Sequence, residues 1–245
     1  MSGEVGRAER AAPSLATGRG VELYASLLNC DVGRLAEQAA EIEESGAVDG
    51  LHVDVMDGHF VPNLAFGPQS VLALRDRTQL PIEVHLMVER PNHLLNAFAQ
   101  AGAQRLIVHA EACPQLHRDV QTITDLGALA GVALNPATPL ATIDSIVSEI
   151  DEILLMGVDP GFGGQAFIES VGSKIAAARL LIDARGLRTK INIDGGVKVE
   201  NARRLFTLGA DRLVAGSALF EPPSIRSCAD RMRASLGGPL YESSR

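Results

Sequence analysis

Eight short apolar runs alternate along the chain with longer amphipathic segments, and this alternation constrains the fold more than any other feature. The runs are rich in β-branched residues, and turn-forming residues separate them from the segments that follow. Such a pattern predicts parallel strands joined by crossover helices. The runs begin at Val21, Gly50, Pro81, Arg105, Ala130, Glu152, Thr189 and Asp211. Eight parallel strands are the number that closes a (β/α)₈ barrel.

The segments between the runs have helical spacing. They predict eight helices, at about 31–46, 68–77, 91–102, 114–127, 139–149, 169–185, 198–209 and 223–235. An open, doubly wound sheet typically has fewer strands and a glycine-rich first βα turn, whereas the first turn here reads SLLNCD. We therefore predict an α/β fold, a single-domain (β/α)₈ TIM barrel over residues 21–236, with its active site at the carboxyl ends of the strands.

The two ends of the chain lack this periodicity. Residues 1–20 are small and polar, which predicts a disordered leader, and residues 237–245 predict a loose C-terminal tail. Whether the leader directs the chain to an organelle stays open. No apolar run approaches the ~20 residues that cross a bilayer, and no secretory signal is present. We expect a soluble, cytoplasmic protein.

Charge and cysteine content argue against a nucleic-acid-binding protein and against a disulfide-stabilised protein. The formal net charge is −8, and no basic stripe is present, so nucleic acid is not an expected partner. The cysteines Cys30, Cys113 and Cys228 are far apart and odd in number, so they predict no disulfide framework. A reducing compartment fits this pattern.

Polar side chains stand near the ends of several predicted strands. These are His52 and Asp54, then His85, His109, Asn135 and Asp194. The spacing of two in HVDVMD places His52, Asp54 and Met56 on one face of their strand. Two His and two Asp side chains at one barrel mouth would suit a divalent metal. Taken singly, each is more simply a hydrogen-bonded core histidine or a loop-capping Asp, so spacing alone leaves both interpretations open.

Glycine clusters follow the last three predicted strands, in MGVDPGFGGQ, DGG and AGS. Barrels commonly bind phosphate at the loops after strands seven and eight. No Lys or Arg lies within these clusters, so neutral main-chain amides would have to hold the phosphate. Ordinary turns are the alternative explanation. Met56, Met87 and Met156 end three strands, where spacing alone favours core packing.

Several longer phrases resemble one family in order and spacing. They are SLLNCD, HVDVMDGHFVPN, VHLMVERP, VHAEAC, GVALNPATP, DPGFGGQAF, DGGV and AGSALF, from about Leu23 to Phe220. They resemble the ribulose-phosphate 3-epimerases. The resemblance implies a (β/α)₈ isomerase of carbohydrate metabolism in the pentose phosphate pathway, commonly a homo-oligomer. It would interconvert D-ribulose 5-phosphate and D-xylulose 5-phosphate with one divalent metal per chain: zinc, iron(II), manganese or cobalt.

The resemblance also implies site residues. His52, Asp54, His85 and Asp194 would be the metal ligands, with Asp54 and Asp194 the catalytic acid/base pair. The substrate-binding residues would be Ser26, His85, Met56, Met87, Met156, Gly161, Phe162, Gly163, Gly164, Gly195, Gly196, Gly216 and Ser217. Epimerisation would pass through a cis-enediolate, with one carboxylate on each face of the sugar. We expect the two carboxylates, on strands two and seven, to lie nearly opposite each other around the ring.

The chain departs from the family pattern at four positions. Asn29 replaces a usual second serine, Cys30 follows it, Gly157 widens the pocket edge, and Asp159 stands where pentulose enzymes more often have Asn. These departures keep a 3-epimerase of another ketose phosphate, a hexulose 6-phosphate or tetrulose phosphate, as an alternative. A noncatalytic phosphosugar-binding protein is a third hypothesis, which the presence of all four presumed ligands disfavours.

Overall fold

The structure is a computed structural model, and it describes residues 20–220 and 224–236. Apart from Gly20, the predicted leader 1–20 and the predicted tail 237–245 lie outside the described residues. Among the helices of the described part, none combines the length and the apolar character needed to cross a membrane.

Eight parallel strands form a closed barrel, as predicted. The first strand, β1, pairs with both β2 and β9, which closes the ring. One short extra strand, β3, pairs antiparallel with the end of β2. The strands are β1 Glu22–Ser26, β2 Gly50–Asp57, β3 Leu64–Ala65, β4 Ile82–Met87, β5 Arg105–His109, β6 Leu129–Leu134, β7 Glu152–Met156, β8 Lys190–Asp194 and β9 Arg212–Ala215.

Seven α-helices lie in the described chain, where eight were predicted. They are α1 Leu35–Ser45, α2 Pro68–Arg75, α3 Leu95–Gln100, α4 Leu116–Asp125, α5 Val171–Ala184, α6 Val199–Leu208 and α7 Ile225–Ser235.

The predicted helix at 139–149 is wrong. Only a 3-10 helix, Leu140–Ile143, forms there, and hydrogen bonds between residues three apart continue the segment as turns. The segment is rich in β-branched and hydroxyl residues, which disfavour helix interiors. Its Ile143, Ile146 and Val147 side chains are nevertheless buried, and their spacing imitates a helix.

Strand alternation divides the side chains between two layers. Val53 and Val55 of β2 pack into the main core between the barrel and its helices. The alternate residues His52, Asp54 and Met56 face the barrel interior, as their spacing predicts. In the register of β2 with β4, Asp54 lies beside His85 and Met56 beside Met87. The interior therefore carries the predicted polar groups toward one end of the barrel.

Below these groups the interior is ionic. We call Glu83, Arg105, Glu152, Asn192 and Arg212 the polar floor, because they fill the barrel beneath the strand ends and are buried. Arg212 Nη1 donates to Glu83 Oε2 at 2.8 Å and also to Glu152. Asn192 Nδ2 donates to Glu152 Oε1 at 3.0 Å. Two guanidinium groups thus balance two carboxylates, as buried charges require.

Candidate active site

The four predicted ligand side chains meet at the carboxyl ends of β2, β4 and β8. One donor atom from each of His52, Asp54, His85 and Asp194 lies within 4.8 Å of all the others. His52 Nε2 lies 3.1 Å from Asp54 Oδ1 and 3.7 Å from Asp194 Oδ2. His85 Nδ1 lies 3.2 Å from Asp54 Oδ1 and 3.4 Å from Asp194 Oδ2. Two imidazole nitrogens and two carboxylate oxygens therefore converge on one point.

The two carboxylates reach the same point although their strands are not opposite in the barrel. On the shorter path around the ring, β2 and β8 are separated by β1 and β9. The expected near-opposition of Asp54 and Asp194 around the ring is therefore only approximate. Both side chains reach the same pair of imidazoles because interior-facing side chains of different barrel strands point toward the barrel axis.

Electrostatics in the cluster favour charge pairing. Burial lowers the pKa of His52, but Asp54 and Asp194 outweigh it and hold that pKa well above its ordinary value. Burial also lowers the pKa of His85, but hydrogen bonds to Asp194 and Asp54 outweigh burial and raise that pKa above its ordinary value. Burial alone would raise the pKa of Asp54, yet the facing His52 and His85 lower it. Mixed nitrogen and oxygen donors of this kind fit a divalent metal, which can replace the protons.

Glu83 of the polar floor supports His52 from behind. His52 Nδ1 lies 2.7 Å from Glu83 Oε1. Burial alone would raise the pKa of Glu83, but His52, Arg212 and Arg105 lower it to about 2. An ionised carboxylate only accepts, so His52 carries its proton on Nδ1 and turns Nε2 toward the cluster. Sequence reasoning missed Glu83, although its place two residues before His85 on a strand was a usable signal.

His109 and Asn135, two further polar residues at strand ends, are not part of the cluster. His109 lies behind His85, with its Nε2 2.8 Å from His85 Nε2, and Phe60 packs against its ring. Burial, aided by the neighbouring His85, outweighs Glu111 and lowers the pKa of His109 to about 4. Asn135 does not line the pocket, and its main-chain N–H donates to Glu111 Oε1.

A pocket opens above the cluster, and most predicted substrate-binding residues line it. His52 and His85 are fully buried at its base. The predicted residues that line it are Ser26, Asp54, Met56, Met87, Met156, Gly161, Phe162, Gly163, Gly164, Asp194, Gly195, Gly196, Gly216 and Ser217. Sequence reasoning missed other lining residues, among them Leu28, Gln165 and Lys198. Lys198 adds an exposed cation to a rim on which only neutral amides were expected.

The glycines of the rim have conformations and contacts that favour glycine. Gly164 and Gly196 have φ of 76° and 69°, in the left-handed region. A Cβ on Gly196 would also lie 2.7 Å from the main-chain nitrogen of Phe167. Gln165 Nε2 donates to the carbonyls of Asp159 and Phe162 and so ties the loop after β7 together. These loops therefore present main-chain surface at the pocket.

Of the four departures from the family pattern, only Asn29 lines the pocket. Its Oδ1 lies 2.9 Å from the position of a Cβ on Gly163. The expectation that Gly157 widens the pocket edge is wrong, because a Cβ there would lie 2.2 Å from the carbonyl oxygen of Gly195. Gly157 instead allows the loops after β7 and β8 to touch. Cys30 and Asp159 do not line the pocket.

Comparisons with known proteins agree with this geometry. The model of the ribulose-phosphate 3 epimerase family matches residues 22–220. The chain belongs to this family. It is therefore an enzyme of the epimerase class, as the sequence phrases implied.

Two relatives show the extent of the likeness. A ribulose-phosphate 3-epimerase from Bacillus subtilis is 45% identical over 216 residues, which is 88% of this chain and 99% of that protein. One from Escherichia coli is 43% identical over 218 residues, 89% of this chain and 96% of that one. The similarity thus extends over nearly all of each relative.

Solved structures of other enzymes have the same fold. A 3-keto-L-gulonate-6-phosphate decarboxylase from Vibrio cholerae matches with a TM-score of 0.63 and 15% identity, over 89% of this chain and 97% of that one. An orotidine 5'-phosphate decarboxylase from Pyrococcus horikoshii matches with a TM-score of 0.63 and 18% identity, over 88% and 99%. At these identities the likeness concerns the fold alone.

Proposed function

We propose that this epimerase interconverts D-ribulose 5-phosphate and D-xylulose 5-phosphate by proton transfer between Asp54 and Asp194 through a cis-enediolate. The observation that carries the proposal is the convergence of both carboxylates with His52 and His85 at the base of one pocket. The relatives at 43–46% identity are named ribulose-phosphate 3-epimerases, and the similarity to them covers 81–89% of this chain.

The reaction requires removal of a weakly acidic proton from C3, next to the C2 carbonyl, and delivery of another proton to the opposite face. A divalent metal held by His52, Asp54, His85 and Asp194 would supply Lewis-acid stabilisation of the enediolate, several kcal/mol in magnitude. Zinc, iron(II), manganese and cobalt all accept this donor set. The side chains position the sugar, exclude water and move the proton.

Asp54 is the carboxylate that is ionised at the start of the reaction in one direction, and so it can accept the proton. Ser26 Oγ donates to its Oδ2 at 2.7 Å, and two imidazoles face its Oδ1. These contacts stabilise the ionised form, in line with the lowered pKa of Asp54. Asp194 begins protonated and gives its proton to the other face, so that the turnover ends with Asp54 protonated and Asp194 ionised; the roles exchange in the reverse direction.

The rest of the pocket fits a sugar phosphate. Met56, Met87 and Met156 line it near the cluster and would keep water from the enediolate without donating a proton. The glycine loops with Gly163, Gly196 and Gly216, together with Ser217, would hold the phosphate through main-chain amides. The exposed Lys198 adds a positive charge on the same rim.

Asn29 supports one second candidate, a 3-epimerase of another ketose phosphate. Its side chain lines the pocket where the family usually has a serine, so its contacts to the sugar hydroxyls would differ. A substrate panel with one preparation tests this point. We expect the highest kcat/KM for D-ribulose 5-phosphate, and a tenfold higher value for a hexulose 6-phosphate would overturn the substrate assignment.

Isotope exchange tests the chemistry. In heavy water the enzyme should incorporate deuterium at C3 of D-ribulose 5-phosphate, as measured by NMR. The substitution Asp194→Asn should abolish both this exchange and turnover. The variant should still unfold as cooperatively as the wild type. Metal analysis of both proteins should find about one ion per wild-type chain and less in the variant. Normal turnover by Asp194→Asn would exclude the two-carboxylate mechanism.

Two further proposals concern the oligomeric state and the cellular location of the enzyme. We propose a homo-oligomer, on the family resemblance, and light scattering of the full chain tests it. We also propose a cytoplasmic location, because the cysteines Cys30, Cys113 and Cys228 are odd in number and far apart in the sequence. Fractionation of cells tests the location, and recovery with an organelle or with secreted protein would contradict it.

A further inference from the structure

We propose that Glu111 and His109 are positioning residues that set the tautomer of His85 and so present its Nδ1 lone pair to the metal. The proposal rests on the proposed metal centre. Glu111, His109 and His85 form a chain of hydrogen bonds that leads away from the cluster. His109 Nδ1 lies 3.3 Å from Glu111 Oε2, and His109 Nε2 lies 2.8 Å from His85 Nε2.

The chain of hydrogen bonds begins at a group that only accepts. Glu111 Oε1 accepts from the main-chain N–H of Asn135 at 2.8 Å and from the hydroxyl of Thr138. Burial raises the pKa of Glu111, but hydrogen bonds from His109, Thr138 and Asn135 lower it to about 2. Its Oε2 is therefore an acceptor, and His109 must carry its proton on Nδ1.

The direction of each later bond follows from the first. With its proton on Nδ1, His109 has only a lone pair on Nε2, and this lone pair faces His85 Nε2 at 2.8 Å. His85 must then carry a proton on Nε2 to donate there. Both rings are fully buried, so a bulk water molecule cannot take either place. The remaining nitrogen of His85, Nδ1, is thereby directed to Asp54 and Asp194 as a potential ligand.

The two metal-facing histidines thus have different supports. His52 offers Nε2 because Glu83 accepts from its Nδ1 directly. His85 offers Nδ1, and the carboxylate that supports it, Glu111, acts through the imidazole of His109. A side chain behind a ligand histidine fixes the ring and its tautomer, and its loss typically lowers metal affinity about 10–100-fold. Glu111 should have such an effect although it touches no ligand.

The substitution Glu111→Gln inverts the chain of hydrogen bonds with almost no change in shape. The main-chain N–H of Asn135 can only donate, so it retains the amide oxygen of Gln and turns the NH₂ group toward His109 Nδ1. The proton of His109 must then move to Nε2. His85 in turn must accept at Nε2 and carry its proton on Nδ1, where the metal requires a lone pair.

Thr138→Val is the matched control. It removes another hydrogen bond of Glu111 in the same loop but leaves the carboxylate facing His109. Zinc affinity of the full chain is measured by chelator competition for the wild type and both variants. Nitrogen-15 NMR of labelled histidine reads the protonated nitrogen of His109, with or without metal.

We expect Glu111→Gln to lower zinc affinity about 10–100-fold and to move the His109 proton from Nδ1 to Nε2. Thr138→Val should have the zinc affinity and the His109 spectrum of the wild type. Equal weakening by the two variants would indicate loop damage and overturn the proposal, as would an unchanged His109 spectrum in Glu111→Gln. A wild type that binds no zinc would contradict the metal centre of the proposed function instead, and the His109 spectra would still decide whether the tautomers follow Glu111.

Discussion

The hydroxyl of Ser26 donates a 2.7 Å hydrogen bond to Oδ2 of Asp54. The other oxygen of this carboxylate, Oδ1, lies within 3.2 Å of both His52 Nε2 and His85 Nδ1. Each oxygen of Asp54 therefore has its own partners. The family resemblance implies that Ser26 contacts the substrate, whereas its position also makes it a support for the proposed base.

Ser26→Ala tests which of these roles is larger. A hydrogen bond to a charged group contributes about 1.5–3 kcal/mol, so its loss should lower kcat about 10–100-fold if it orients Asp54 in the transition state. KM for D-ribulose 5-phosphate should change less. Steady-state kinetics at saturating metal measures both, and a raised KM with an unchanged kcat would instead assign Ser26 to substrate binding.

Much of the fold could be predicted because strands and helices leave different periodicities in the sequence. All eight barrel strands coincide with the apolar runs, and α4 at Leu116–Asp125 lies within its predicted range. The segment 139–149 could not be predicted in this way. Buried Ile143 and Val147 have helical spacing, but the hydrogen-bond pattern depends on local crowding that periodicity does not reveal.

Some contacts of the site could likewise be predicted from the sequence, and others could not. The alternation in HVDVMD predicts that His52 and Asp54 share a face, since neighbours two apart on a strand must do so. Glu83 and Arg212 could not be predicted as partners, because their strands, β4 and β9, are distant in the chain. They meet across the interior of the closed barrel, into which both side chains point.

Gly164→Ala tests the proposed phosphate loop. Gly164 has φ of 76°, and no atom lies within 4 Å of an added Cβ, so the substitution adds backbone strain without a clash. That strain is about 1–2 kcal/mol, and a shift of the loop that relieves it should raise KM about three- to tenfold. Gly127→Ala is the control, because Gly127 has φ of 82°, equally open surroundings and no place in the pocket. Equal KM values for the two variants would place the phosphate elsewhere.

Metal binding should strengthen as pH rises. In the metal-free cluster the pKa values of His52 and His85 are both raised, by the carboxylates that face them. A metal needs neutral imidazoles, so protons compete below these raised pKa values and binding releases them. The logarithm of the zinc association constant should increase by about one to two per pH unit from about pH 6 to 8. Calorimetry in buffers of different ionisation enthalpy counts the released protons. A zinc affinity that does not change with pH, without proton release, would contradict the raised pKa values of His52 and His85.

Arg212→Met should destabilise the fold strongly, because Arg212 pairs with both carboxylates of the polar floor. Its side chain is 2% exposed, and it contacts Glu83 and Glu152, which are fully buried. Removing one partner of a buried ion pair costs about 3–5 kcal/mol. Urea unfolding of the full chain measures the loss. Arg185→Met is the control, because the pair of Arg185 with Asp144 is exposed and should contribute far less.

The pH dependence of this loss distinguishes charge from packing. Burial and the neighbouring Glu83 already raise the pKa of Glu152 above its ordinary value, although Arg212 and Arg105 oppose the shift. Without Arg212 that pKa should rise further, so the folded variant binds a proton that the unfolded chain releases. Its stability relative to wild type should then recover as pH falls from about 8 toward 5 and decline as pH rises. A deficit that stays constant over this range would mean that Arg212 acts through packing against Tyr24, 4.2 Å from its guanidinium, and not through its charge.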